Sequence, residues 1–161
     1  MPFVDVGGAR LEVERIDVGR ASAAPIVMLH EGLGSVSMWK DFPHRVAHAA
    51  NRNVLAYSRA GYGRSSSAKR PYGVRYMHDE ALVVLPRLLD ACGIERPILL
   101  GHSDGASIAL IHAAAAGRPV AGLALMAPHV VVEDVSIASI SAAKVAWRTT
   151  DLRAKLARFQ A

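Results

Sequence analysis

An α/β fold, a mostly parallel sheet with helices on both faces, is what this chain predicts, and three observations carry that prediction. Two short strand signals flank Gly7-Gly8 at the start. After them, strand-length apolar runs alternate with helical stretches. Near the middle, the segment Gly101-His102-Ser103-Asp104-Gly105 joins an apolar run to an alanine-rich helix. A leading hairpin followed by repeated strand-helix units is the pattern of a doubly covered parallel sheet.

The elements follow in order. Phe3–Val6 and Arg10–Asp17 read as the hairpin. Pro25–His30 is a continuous apolar strand, as expected of one buried on both faces, and a helix follows over Phe42–Ala50. Asn53–Ser58 is the next strand and Arg75–Ala91 the next helix. Pro97–Gly101 is the strand before Ser103; Ala106–Ala116 is built of strong helix formers and closed by Gly117 and Pro119. Val120–Ala127 is a sixth strand. Beyond it, Ile137, Ile140, Ala143 and Trp147 fall on one helical face, and Leu152, Leu156 and Phe159 on another.

At 161 residues and 52% hydrophobic, the chain can bury one sizeable core. It contains no apolar run near the roughly 20 residues of a membrane span. The N-terminal residues lack the apolar stretch of a signal peptide. The single cysteine, Cys92, forms no internal disulfide, and its apolar helical setting suggests a buried structural thiol. A cytoplasmic protein is the expectation. Most of the net charge of +5 lies in the Lys144–Arg158 stretch, and no basic track interleaves with aromatics, which argues against nucleic-acid binding. The amphipathic end, Leu152, Leu156 and Phe159 opposite Arg153, Lys155 and Arg158, fits packing within a helical cap better than a membrane surface.

Ser103 is the candidate nucleophile. A serine in G-x-S-x-G sits on a sharp strand-to-helix turn with its hydroxyl exposed, and the glycines admit the close backbone approach. Helix amides behind the turn favour negative charge beside it. Two other glycine-bearing loops leave neighbouring strands: His30-Glu31-Gly32-Leu33-Gly34 and Gly61-Tyr62-Gly63-Arg64-Ser65. Neither matches a phosphate-binding pattern.

Together the three loops resemble, in order and spacing, the α/β-hydrolase family. The resemblance implies a serine-dependent hydrolase acting on an ester or related carbonyl compound through a Ser103 acyl-enzyme. It implies oxyanion donors at the backbone N–H groups of Asp104 and Leu33, a small-molecule substrate and no cofactor or metal. A serine at position 103 excludes the dehalogenase branch of the family, which uses aspartate.

The family's acid and histidine follow the nucleophile in chain order. After Ser103 the chain holds only two histidines, His112 and His129. His112 lies within the following helix, facing away from the turn. His129, just past the sixth strand, could serve Ser103 with Glu133 or Asp134 as acid; its simpler role is to cap the strand where the cap begins. On this reading residues 1–133 are an incomplete hydrolase core and 134–161 the start of a helical cap. The sheet then ends after the sixth strand, and the open edge invites self-association. The alternative is a hydrolase-fold fragment or binding module without catalysis. His44 and His48, spaced i, i+4, lack the further ligands of a metal site and read as a solvated helix face. His30 is placed to support the oxyanion loop, and His78 to open or cap a helix.

Overall fold

The computed structural model describes residues 2–18, 22–68 and 72–160. Strands β1 (Phe3–Val6) and β2 (Ala9–Ile16) form the hairpin, followed by β3 (Ile26–Leu29), α1 (Phe42–Ala50) and β4 (Val54–Tyr57). Then come α2 (Tyr76–Asp79), a π-helical turn at Glu80–Val84 and α3 (Leu85–Ala91). Next are β5 (Ile98–His102), α4 (Asp104–Ala115), β6 (Gly122–Met126), α5 (Asp134–Thr149) and α6 (Leu152–Ala157). The strands make one six-stranded sheet in the order β1-β2-β4-β3-β5-β6. The hairpin joins antiparallel and β4, β3, β5 and β6 run parallel. Parallel alignment brings the C-terminal ends of β3, β4, β5 and β6 to one edge, where open α/β sheets hold their ligands.

Burial follows the sequence pattern. Every residue of β3 and of β4 is buried, as a continuous apolar run between two helical layers requires. One core, with Leu11, Leu55, Leu85, Leu88, Leu99 and Ile108, lies on one face of the sheet. The other, with Ile16, Met28, Ala47 and Val54, lies on the opposite face.

The expected helix over 75–91 forms, with a π turn inside it. In that turn the Leu85 N–H reaches the Glu80 carbonyl. The next donor in the same register would be residue 86, which is proline and has no N–H. The Ala81 carbonyl takes a hydrogen bond from buried His112 Nδ1 instead, at 2.8 Å. His112 is therefore structural. Burial, foremost, holds its pKa below the usual imidazole value.

Cys92 is half-buried rather than fully buried, and burial pushes its thiol up. His44 Nε2 lies 3.4 Å from Glu14 Oε1. His78 is the third residue of α2, in the turn that opens the helix, and Arg75 is the cap. Among the described residues no helix is long and apolar enough to cross a membrane.

Candidate active site

Ser103 occupies the one-residue corner between β5 and α4, with φ 52° and ψ −117°. A side chain in this left-handed region is strained, and such strain persists only where the surroundings hold it. They do so here. The Ser103 N–H donates to the Met126 carbonyl at 2.8 Å. A Cβ built on Gly105 would fall inside contact distance of the Leu29 and His30 carbonyls, and one on Gly101 would strike the backbone of Gly105 and Ala106. Only glycine lets β5, the turn and α4 approach this closely. The helix therefore starts at Asp104, directly after the serine, two residues earlier than its composition indicates.

His129 comes back to this corner. Ala127, with φ 51°, turns the chain at the end of β6, and Pro128 follows. The His129 N–H donates to Ser107 Oγ at 2.7 Å, which fastens the loop to the first turn of α4. Its imidazole Nε2 then stands 2.9 Å from Ser103 Oγ. The strand-capping role expected for His129 gives way to this contact, because Ala127 and Ser107 redirect the loop towards the serine.

Neither proposed acid reaches the imidazole. Glu133 forms the N-terminal boundary of α5 and accepts from Ser136 Oγ at 3.5 Å, and Asp134 lies in that helix's first turn. The carboxylate beside His129 is Asp104, whose Oδ1 is 3.7 Å from Nε2. Its Oδ2 accepts a hydrogen bond from the Tyr76 hydroxyl at 2.5 Å.

The loop after β3 is braced from below. His30 is buried, donates from Nδ1 to the Glu31 carbonyl at 2.7 Å and accepts at Nε2 from the Arg59 N–H at 3.0 Å. Desolvation, with the Arg59 charge beside it, holds His30 well below the usual imidazole range, so the ring is neutral and one tautomer is fixed. The Arg59 guanidinium donates to the carbonyls of His30 and Glu31 at 2.6 and 2.9 Å. The Leu33 N–H, expected to face an oxyanion, donates to the Glu31 carboxylate at 2.5 Å.

The turn after β4 is tied in through Glu12. Burial works to raise this carboxyl, but hydrogen bonds from Arg64 and Ser58 outweigh it and hold the carboxyl below its usual value. Gln160 spans the two loops, donating to the Leu33 carbonyl at 2.8 Å and accepting from the Gly63 N–H at 2.6 Å.

A cleft of about 340 Å³ opens over Ser103 and His129. Glu31, Leu33 and Asp104 form its floor with them, and Val135, Ser139 and Ile140 of α5 its wall. Among the described residues, no group of three or more His, Cys, Asp or Glu is arranged to hold a metal ion.

Ser103 thus stands on a strained turn at the carboxyl edge of the parallel strands, with the His129 imidazole on its hydroxyl. The chain belongs to the alpha/beta hydrolase fold family, whose model matches residues 24–160. Among curated proteins it is 34% identical over 123 residues to the dihydrolipoyllysine-residue acetyltransferase component of the acetoin cleaving system of Pseudomonas putida, covering 76% of this chain and 31% of that protein. It is 37% identical over 89 residues to a putative carbamate hydrolase, RutD, of Pseudomonas savastanoi pv. phaseolicola, covering 54% of this chain and 32% of that one. Among solved structures it superposes on a carboxylesterase of Nitrososphaera gargenis with a TM-score of 0.76 at 22% identity, over 98% of this chain and 56% of the other. The chain spans about a third of the length of these two curated relatives.

Proposed function

We propose that this chain carries the nucleophile and the proton acceptor of a serine-dependent hydrolase acting on an ester or related carbonyl compound. The observation that supports it best is the 2.9 Å contact between Ser103 Oγ and His129 Nε2 on a strained turn. A nucleophile and base within hydrogen-bond reach are the first requirement of acyl transfer.

Ser103 Oγ attacks the carbonyl carbon of a small molecule held in the cleft, and its proton passes to His129 Nε2. The developing oxyanion faces the Asp104 N–H at the start of α4, where helix amides have no intrahelical partner. The Leu33 N–H joins it once the Glu31 carboxylate swings aside. His129 then gives the proton to the leaving group. The same imidazole next activates water, which attacks the acyl carbon and frees Ser103.

The sheet and its loops (residues 1–133) form the catalytic core, and residues 134–161 begin a helical cap. This division is supported by α5 walling the cleft and by Gln160 resting on the Leu33 loop.

Hydrolysis of 4-nitrophenyl acetate by the full chain tests the reading. Turnover above background is expected, with Ser103→Ala abolishing it. His129→Ala should lower it by roughly 10²–10⁴, the usual worth of a positioned base. Turnover that survives Ser103→Ala would refute the assignment.

A further inference from the structure

Asp104 has two separate sets of contacts. Its backbone lies at the head of α4, while its side chain, 15% exposed, is held between three residues. Tyr76, on the first turn of α2, donates its hydroxyl to Oδ2. Burial, reinforced by the hydrogen bond to Asp104, pushes the Tyr76 phenol above its usual range, so the hydroxyl stays a donor. The Tyr76 ring is itself packed against Tyr72, with centroids 5.6 Å apart. On the other side Gly32 leaves space, since a Cβ there would stand 3.0 Å from Oδ2. The carboxylate is thus pinned by one oxygen and presents the other, Oδ1, to His129 Nε2 at 3.7 Å.

That nitrogen is the one facing Ser103 Oγ. When the serine proton moves, the new positive charge appears where Oδ1 already stands. At 3.7 Å the contact is electrostatic and too long for a hydrogen bond. It therefore acts on the charged ring as a nearby opposite charge. A carboxylate in the first turn of a helix is itself favoured by the helix dipole.

We propose that the Asp104 side chain is the carboxylate partner of His129, and that Tyr76 is a positioning residue that aims it. The proposal rests on the reading of Ser103 and His129 as nucleophile and base. It assigns to the residue after the nucleophile a task beyond its backbone N–H.

The test is the NMR titration of the His129 ring in the full chain, assigned with His129→Ala. Among the described residues, the titratable groups lining the cleft with His129 are Asp104 and Glu31, with Tyr76 behind Asp104. Asp104→Asn should lower the proton affinity of His129 by about three- to tenfold, because an opposite charge this close favours the charged ring. Tyr76→Phe keeps the aromatic packing but releases the carboxylate, and should lower the affinity by part of that factor. Adding it to Asp104→Asn should lower it no further, as expected for residues acting through one contact. A His129 titration unmoved by either single variant would overturn the proposal, and fully additive effects would remove Tyr76 from it. The titration needs no substrate, so it reports on Asp104 even if Ser103 proves unreactive. Failure of the underlying reading appears in the ester assay instead.

Discussion

Glu80 offers a change in stability whose sign and pH window follow from its surroundings. It sits in the π turn before Pro86, with Oε2 buried and lacking a hydrogen-bond partner; the buried Tyr57 hydroxyl also lacks one. Desolvation, opposed by Arg59 and assisted by Asp79, raises its pKa from 4.5 to about 7. Between those values the folded chain holds a proton that the unfolded chain has released. Stability from this group is therefore complete below about pH 4.5 and is lost as pH rises through 7. Ionising the carboxyl in the folded state costs on the order of 3 kcal/mol. Glu80→Gln keeps the shape and removes the ionisation. In urea unfolding, the variant should gain on the parent by about 2 kcal/mol between about pH 5 and about pH 8. His30 and His112, whose values are lowered, act oppositely, weakening the fold as pH falls below 6.5. They are present in both proteins and cancel in the difference. An advantage equal at both pH values, or a variant weaker at the higher one, would mean that the folded chain does not hold Glu80 protonated.

Three further outcomes follow from the site and its surroundings. Gly105→Ala places a methyl against the Leu29 and His30 carbonyls. It should cost about 1–3 kcal/mol in urea unfolding, the range for overpacking, and a neutral result would mean that α4 is not held against β3. Glu31→Ala frees the Leu33 N–H while leaving the main-chain bonds of Glu31 in place. The kcat for 4-nitrophenyl acetate should rise, since one oxyanion donor is worth roughly 10²–10³; an unchanged or lower kcat would take Leu33 out of the reaction. Leu123 and Met126 on the outermost strand, together with Val130, Val131, Val132 and Val135, are exposed. Light scattering after size exclusion should show a mass that grows with concentration, and a constant monomer mass would count against that expectation.

What the sequence made legible was governed by local sterics. Gly101 and Gly105 mark a place where two backbones meet, so the Ser103 corner could be read without coordinates. The buried strands β3 and β4 were legible from unbroken apolar runs. His129 was harder. Its position depends on a left-handed Ala127 and on a hydrogen bond to Ser107, four residues past the serine, and neither is visible as a motif. Glu133 and Asp134 follow the sixth strand, where the family resemblance allows an acid, whereas the start of α5 keeps them from the imidazole. The sequence points to Asp104 only through its backbone N–H, because the side-chain contact with His129 depends on Tyr76 from a different helix. The π turn had one sequence signal, Pro86 inside a helical stretch, and its partner His112 lies 31 positions from Ala81.

The proposed chemistry stands on one step, the activation of Ser103 Oγ by His129. Treating the full chain with a fluorophosphonate and mapping the adduct by peptide mass spectrometry tests it most directly. A single covalent adduct on Ser103 is expected, formed at least about a hundredfold more slowly in His129→Ala, as loss of a positioned base requires. An unmodified Ser103, or labelling at the same rate without His129, would contradict it.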